Sequence, residues 1–444
     1  MRRAGRFERM GGHDRVLTLL LFILLPVGLF GQMTARGLGM GGAYTALARG
    51  VHAVAWNPAN LGLPDNSKFS FTFISLGAGV WNNSFSKSMY DKYIVGDGKG
   101  SVHWTQEDIE DILGHIPDSG LGLNIGTSVR AFSFSIGRFA LSFGVDAGGF
   151  LQLDKTLFDF ILTGNELGKT YDLGIKNNEA LGIGMASVSW GQPIRVSFAD
   201  AFSVGGTARL LWGGAYANAA KGTFSFTTTE FGFDLDAEYE AAFGYLGGFG
   251  LGLDLGTAAQ FGQRWTVSLG LANVLGSVSY TMDDSTKTVG YLRGTGLTVY
   301  DITDDENVIE DSSWTEIPEK ISARLPMLLR VGASYETGPF LFTADYSQGF
   351  QEKAFVGTTP RFALGAEWRG LSWLPLRIGV AMGGRIGLGT SLGFGIRPGG
   401  FVLDVGVMNR GLFLPKSSKG IIFGMEIGID LQRKKQDAVR IGDF

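Results

Sequence analysis

Charged residues of both signs recur at every second position of apolar segments in the C-terminal part of the chain. In Phe362 to Arg369, for example, Glu367 and Arg369 alternate with bulky apolar residues. Opposite charges on neighbouring strands favour cross-strand ion pairs that hold a protein together. Their alternative role is to guide the polar group of an amphipathic ligand. The set comprises Arg330, Asp345, Glu367, Arg369, Arg377, Arg397, Asp404, Glu426 and Asp430.

Residues that could support catalysis or bind a metal form no recognisable pattern. The four histidines, His13, His52, His103 and His115, lack metal-ligand spacing. No G-x-S-x-G motif is present. The acidic run 301–306, followed by Glu310 and Asp311, lacks the glycine and terminal glutamate of a calcium loop, which indicates a solvated loop. The sequence therefore predicts no enzyme activity, catalytic residue, metal or cofactor.

The elements that carry the charges are predicted to be β-strands with two different faces. In Ile421–Leu431, apolar residues occupy every second position, and Glu426 and Asp430 lie on the opposite face. We expect the set Ile421, Phe423, Met425, Ile427 and Ile429 to face lipid and the two carboxylates to face a lumen. This segment is predicted to close a barrel by pairing with a strand that begins near Lys68.

The composition and the spacing of turns predict an all-β protein, a closed antiparallel transmembrane barrel of about fourteen strands. The 444 residues include 69 Gly and 33 Phe but no Cys, which suits curved sheets. Short turns alternate with long insertions at about 82–125, 154–178 and 281–320, as in outer-membrane barrels. Trp190, Trp212, Trp265, Trp368 and Trp373 are expected at the membrane interfaces, and separate strands are expected to start near Phe202, Thr223, Trp265 and Val274.

The two ends of the chain differ from the predicted barrel. Residues 1–31 hold a basic stretch and an apolar run that are typical of a cleaved signal peptide, which predicts export to the bacterial outer membrane. Residues 432–444 form a polar tail. The formal net charge of −4 argues against nucleic-acid binding. A soluble β-protein with ordinary packing is the alternative to a membrane barrel.

A small-residue segment after the predicted signal resembles the start of FadL-type barrels. The resemblance rests on Gly39-Met40-Gly41-Gly42-Ala43 and on Asn57-Pro58-Ala59 followed by Leu61. It implies that residues 32–66 form a hatch that plugs a barrel of residues 67–431. It also implies that the central turn at Asn57 lies near the ligand. The hatch and ligand residues are Gly39, Met40, Gly41, Gly42, Trp56, Asn57, Pro58 and Ala59.

The function that this resemblance implies is passive uptake of hydrophobic or amphipathic small molecules that are fatty-acid-like. The superfamily contains transporters of long-chain fatty acids and of aromatic hydrocarbons. It also contains PorV-like barrels, so a barrel that anchors or shuttles secreted proteins is the alternative, as is a structural barrel with no ligand. The partners are accordingly outer-membrane lipid and either a hydrophobic ligand or a secreted protein.

Overall fold

The structure, a computed structural model, describes residues 33–96, 103–175, 178–281, 285–298, 310–353 and 356–431. The predicted signal peptide, the polar tail and the acidic run 301–306 lie outside the described residues. These three predictions therefore stay predictions.

Long antiparallel strands dominate the described chain, and their bounds follow from the alternation of lipid-facing and lumen-facing residues. The strands are β1 (Phe69–Asn82), β2 (Leu121–Ile136), β3 (Phe139–Leu153), β4 (Thr170–Ile175), β5 (Asn178–Ile194), β6 (Ala201–Thr229), β7 (Gly232–Gly244), β8 (Gly248–Phe261), β9 (Trp265–Thr281), β10 (Ser285–Leu297), β11 (Glu310–Glu316), β12 (Lys320–Arg324), β13 (Leu328–Thr337), β14 (Phe340–Gly349), β15 (Arg361–Trp368), β16 (Leu376–Gly383), β17 (Gly389–Ile396), β18 (Phe401–Arg410) and β19 (Gly420–Leu431).

Fourteen of these strands form a closed ring in which each pairs with its neighbours. The order is β1, β2, β3, β5, β6, β8, β9 and then β13 to β19. Pairing of β19 with β1, from Leu431 opposite Phe69 to Gly420 opposite Trp81, closes the ring. Closure removes the sheet edges that an open sheet of this size would expose. The predicted all-β class, the fourteen-stranded closed barrel and the closing strand pair are confirmed.

Two pairs of strands that were predicted to be separate are continuous, and that part of the prediction is wrong. Phe202 and Thr223 both lie in β6, and Trp265 and Val274 both lie in β9. In β9 a bulge around Asn273, whose φ is +55°, shifts the register against β8 between Leu253 and Leu255. A bulge interrupts the alternation of side chains without ending the strand, so the sequence pattern looks like two strands.

The connections differ in length at the two ends of the barrel. One end, here called the turn end, has short links such as Gly137–Arg138 and Gly338–Pro339. The other, the loop end, carries the long insertions. There the outer half of β6 leaves the barrel and pairs with β4 and β7. Strand β7 also pairs with β10, and β10 pairs with β11. We call these five strands the loop-end sheet.

The helices of the described chain are short and belong to the hatch and the insertions. They are α1 (Ala35–Gly39), α2 (Ala53–Trp56), α3 (Lys87–Tyr90), α4 (Gln106–His115) and α5 (Lys155–Thr163), with a π-helical turn at Asp91–Val95 and 3-10 turns at Gly50–His52, Pro58–Gly62, Gly384–Ile386 and Pro415–Ser417. Within the described ranges, none of the helices has the length and apolar character needed to cross a membrane.

The barrel wall has an apolar outer surface and a polar inner one. Phe342, Leu364 and Ile378 are exposed on the outside, whereas neighbours one position away in the sequence, such as Thr343 and Arg377, are buried inside. On β19, Ile421 and Phe423 are exposed and Glu426 is buried. Trp190, Trp212, Trp265 and Trp373 are roughly half exposed, while Trp368 is more covered. An apolar outer surface around a polar lumen is the architecture of outer-membrane barrels.

Candidate ligand site: the hatch and the lumen

The segment that precedes β1 lies inside the barrel. From residue 33 to residue 66, every side chain except that of Asp65 is buried or half-buried. Gly41 and Gly42 have φ values of +70° and +79°, a conformation that suits glycine and lets the chain turn sharply after α1. The side-chain amide of Asn60 donates to the carbonyls of Thr45 and Ala48, which ties the two halves of the segment together.

The hatch backbone lies directly against glycines of the barrel wall. A Cβ atom on Gly379 would overlap the backbone of Gly41, and one on Gly365 would lie 2.6 Å from the Met40 carbonyl oxygen. Only glycine allows two backbones to approach this closely. Glycines of eleven barrel strands contact the hatch in this way: Gly77, Gly191, Gly205, Gly256, Gly270, Gly332, Gly365, Gly379, Gly393, Gly406 and Gly424. We call this set the glycine belt.

The central turn of the hatch binds the wall through its side chain. Asn57 is fully buried, and its Nδ2 donates to the carbonyls of Thr257 and Leu269, at 2.9 and 3.2 Å, on β8 and β9. Its Oδ1 accepts from the Ala59 amide at 3.0 Å, across Pro58, which starts a 3-10 turn. The Asn57 side chain therefore forms hydrogen bonds both within the hatch turn and to the barrel wall.

Five of the predicted lumenal charges meet around one carboxylate pair, joined by Arg36 of the hatch. Glu367 accepts from Arg36 at 2.9 and 3.0 Å, from Arg377 at 2.6 Å and from Arg369 at 2.5 Å. Asp404 accepts from Arg397 at 2.8 Å, and its Oδ1 forms an ion pair with Arg377 Nη1 at 2.7 Å. Buried charges are tolerated when each has such partners. This cluster, the Glu367 network, joins α1 to β15, β16 and β18.

Three further predicted charges contact the hatch elsewhere. Asp345 accepts from the amides of Tyr44 and Thr45 at 3.0 and 2.8 Å. Glu426 lies 3.2 Å from His52 Nε2. Arg330 donates to the Ala55 carbonyl at 2.6 Å, and its guanidinium lies over the Trp56 ring, 5.1 Å from the centroid.

The remaining predicted charge stands apart from the hatch, and three important groups were not predicted. Asp430 is half-buried, and its Oδ1 has no hydrogen-bond partner. Arg36, His52 and Arg361 contact hatch or wall but were missed, because the first two carry no strand alternation and the third precedes the predicted strand segment, which began at Phe362. Arg36 and His52 lie in the hatch, and Arg361 is the first residue of β15. A usable signal was that a charged residue inside a small-residue plug needs a partner in the wall.

The predicted hatch motif positions are mostly part of the contact with the wall. Gly39 accepts from Ser391 Oγ at 3.2 Å, Gly41 accepts from Arg361 at 2.5 Å, and Met40 is fully buried. Trp56 is buried beneath Arg330, with its ring edge-on to Tyr44 at 5.5 Å. Of the predicted hatch residues, Gly42 lines a cavity.

An apolar cavity lies above the hatch at the loop end. Its volume is about 70 Å³, between the hatch and strands of the closing region. Most of its lining side chains are apolar: Met33, Leu38, Trp81, Leu328, Val356, Ile386, Met408 and Ile422. Arg361 and Arg385 add two cationic groups to the same lining. A mostly apolar lining with a few placed polar groups is typical of small-molecule sites.

A second, polar cavity of about 90 Å³ adjoins the first. The two share the lining residues Met33, Leu328 and Val356, which form the boundary between them. The lining of the second cavity is rich in hydroxyl groups and charges: Thr72, Ser75, Ser128, Ser133, Ser142 and Ser187, with His52, Arg130, Asp146, Arg209, Asp254, Arg330 and Glu426. The described residues contain no group of histidines and carboxylates arranged to bind a metal ion.

The architecture that the resemblance to FadL-type barrels implies, fourteen strands around an N-terminal segment, is the one observed. The chain is similar in structure to the toluene transporter TbuX of Ralstonia pickettii, with 13% identity, a TM-score of 0.48, and 91% and 100% of the two chains covered. A FadL homologue of Pseudomonas aeruginosa shows 12% identity and a TM-score of 0.49, with 92% of this chain and 99% of the homologue covered. The toluene transporter TodX of P. putida shows 11% identity and a TM-score of 0.49, with 90% of this chain and 99% of TodX covered.

A family model matches the sequence over most of the barrel. No curated protein sequence matches the chain. The model described as "Family of unknown function (DUF5723)" matches residues 58–241 and 231–406, which together exceed half of the chain. The chain therefore belongs to this family of unknown function, DUF5723.

Proposed function

We propose that this protein is a bacterial outer-membrane barrel for passive uptake of hydrophobic or amphipathic small molecules. The observation that carries the proposal is the apolar cavity between the hatch and the loop end. Because long loops face the outside of the cell in such barrels, this cavity would receive ligand from the exterior. Burying apolar ligand surface there would supply roughly 25 cal/mol per Å².

The lining also supports a ligand with one polar end. Arg361 Nη2 donates to the Gly41 carbonyl, and within the described part of the chain the Arg361 guanidinium has no carboxylate in ion-pair distance. An apolar cavity with a few placed polar groups fixes the orientation of a bound molecule. An amphipathic molecule would place its chain among Trp81, Met408 and Ile422 and its head beside Arg361.

The contacts between the hatch and the wall argue against a mechanism in which the whole hatch leaves the barrel during uptake. Ion pairs at Glu367 and Glu426, amide contacts at Asp345 and the glycine belt hold it to the wall on many sides. Breaking all of these contacts together would cost far more than a small ligand supplies on binding. Passage would instead use the adjoining cavities beside the hatch.

Two neighbouring isoleucines provide a matched test. Ile422 lines the apolar cavity, and Ile421 is exposed on the lipid-facing side of the same strand. Ile422→Trp should fill the cavity and weaken binding of a labelled medium-chain or long-chain apolar probe at least tenfold. Ile421→Trp should bind as the wild type does. Absence of saturable binding to the wild type, with unchanged uptake in a deletion strain, would refute the proposal.

The loop-end sheet supports a second candidate, binding of a secreted protein. On β7, Asp234, Asp236, Glu238 and Glu240 alternate along the strand and therefore share one face. Arg293 of β10 pairs with Asp236 and Glu238 at 3.3 and 2.5 Å, and Lys287 pairs with Glu240 at 3.2 Å. These two cations offset two of the four carboxylates, so the face keeps a net negative charge. A basic partner that co-purifies at one-to-one stoichiometry, and is lost from an Asp234→Lys/Glu238→Lys variant, would favour this function over uptake.

A further inference from the structure

Arg330 is a buried cation inside the lumen without an acidic partner. Its side chain is 5% exposed, and the atoms that it contacts are the Ala55 and Trp56 carbonyls and the Trp56 ring. Among the described residues, no carboxylate lies within ion-pair distance of Arg330. Its Nε has no hydrogen-bond partner at all. A buried guanidinium with an unsatisfied donor is costly unless something else supplies the acceptor.

The cavity that Arg330 lines carries more positive than negative charge. Three of its carboxylates are already paired: Asp146 with Arg130 at 2.7 Å, Asp254 with Arg209, and Glu426 with His52 at 3.2 Å. Arg330 is the fourth cationic group of the lining and, among the described residues, the one without a carboxylate partner. The Nε of Arg209, in the same lining, also lacks a partner.

Hydroxyl groups surround these arginines. Thr72, Ser75 and Ser128 line the cavity, as do Ser133, Ser142 and Ser187. Hydroxyls donate hydrogen bonds to an oxyanion without adding charge. Guanidinium groups add planar, charge-assisted donors that suit carboxylate, sulfonate and phosphate oxygens. An apolar molecule, by contrast, would leave the Nε groups of Arg330 and Arg209 unpaired.

We infer that the polar cavity is an oxyanion-binding site centred on Arg330, with Arg209 as the second donor. Its ligand is a carboxylate, sulfonate or phosphate group, supplied by a small free anion or by the head of an amphipathic molecule. In the second case the apolar part of the molecule crosses the boundary at Met33, Leu328 and Val356 into the apolar cavity. The site does not depend on hydrophobic uptake, since either anion source satisfies Arg330.

The test titrates purified full-length barrel in an uncharged detergent, with protein-free micelles subtracted. The probes are sodium sulfate, decanoate and decanol, where the last two share chain length and differ in charge. Arg330→Met keeps the length and the packing of the side chain, and Arg330→Lys keeps its charge. Arg324→Met, on the exposed β12, serves as the matched control, and Arg361→Met tests whether the anion lies in the apolar cavity instead. A difference in gel migration between unheated and boiled samples verifies that each variant is folded.

We expect saturable binding of sulfate, of decanoate or of both, weakened at least tenfold by Arg330→Met and partly restored by Arg330→Lys. The Arg324→Met control should bind as the wild type does, and loss of anion binding in Arg361→Met but not in Arg330→Met would overturn the inference. Binding of sulfate identifies a free anion as sufficient, and binding of decanoate alone identifies an amphipathic head. Equal affinity of the wild type and Arg330→Met for every anion, or no anion binding, would overturn the inference. Decanol binding tests the apolar cavity separately. Failure of the proposed hydrophobic uptake can therefore be distinguished from failure of the oxyanion site.

Discussion

Arg36 of the hatch and Glu367 of β15 form two parallel hydrogen bonds of 2.9 and 3.0 Å across 331 residues of sequence. Glu367 is 1% exposed and simultaneously accepts from Arg377. A planar guanidinium paired with both oxygens of a carboxylate fixes geometry as well as charge. This pair therefore sets the position of α1 against the wall that closes the barrel.

Removing the negative charge of Glu367 should destabilise the hatch strongly. Glu367→Gln leaves Arg36, Arg369 and Arg377 near a neutral amide, and loss of one partner of a buried ion pair costs about 3–5 kcal/mol. We expect faster proteolysis of the hatch in the folded barrel and a lower unfolding midpoint in urea. Glu336→Gln is the control, because Glu336 pairs with Arg369 near the surface. Equal stability of the two variants would contradict the structural role of the network.

The glycine belt predicts a position-dependent effect of adding one methyl group. Gly379→Ala would overlap Gly41 and should cost about 1–3 kcal/mol through overpacking. Gly182→Ala is the matched control, since its nearest neighbouring atom would lie 3.7 Å from the new Cβ. The measurement is hydrogen exchange of the hatch amides. The same exchange in both variants would show that Gly379 is not needed for seating the hatch.

Anchoring of the hatch should weaken as the pH rises from neutral to alkaline. Burial lowers the pKa of His52, but the nearby Glu426 carboxylate, together with Tyr44 and Asp404, outweighs it and raises the pKa to about 10. A pKa raised above its ordinary value of about 6.5 stabilises the folded state fully below that value, and the stabilisation is lost as the pH approaches 10. Proteolysis of the hatch should therefore accelerate between pH 7 and pH 10. His52→Gln should be sensitive already at pH 7 and show little change over this range.

Asn57 should require an amide and not a carboxylate. In Asn57→Asp the group that donates to the Thr257 and Leu269 carbonyls is replaced by an acceptor, leaving two buried oxygens unpaired. The expected loss is about 1–3 kcal/mol of stability, measured by urea unfolding. Asn165→Asp, in an exposed loop, tests the same chemical change away from the hatch. A stable Asn57→Asp variant would mean that the wall contact contributes little.

The alternation of residues along the strands was enough to predict the barrel. Ile421, Phe423 and Glu426 could be assigned to opposite faces because side chains of a strand alternate by geometry. The same rule failed at Asn273, where a bulge breaks the alternation inside one strand. It also failed at β6, because Phe202 and Thr223 belong to one strand that is longer than the membrane requires.

What the sequence by itself determined is the wall: a period of two, many glycines and an N-terminal small-residue segment specify a closed two-faced sheet with something packed inside. Which groups meet inside it was decided by the tertiary structure. Arg36 reaches Glu367 and His52 reaches Glu426 only because closure of β19 against β1 folds distant residues into one lumen. The lone position of Arg330 was likewise undetectable in the sequence, since the absence of a partner depends on three-dimensional distances and not on spacing along the chain.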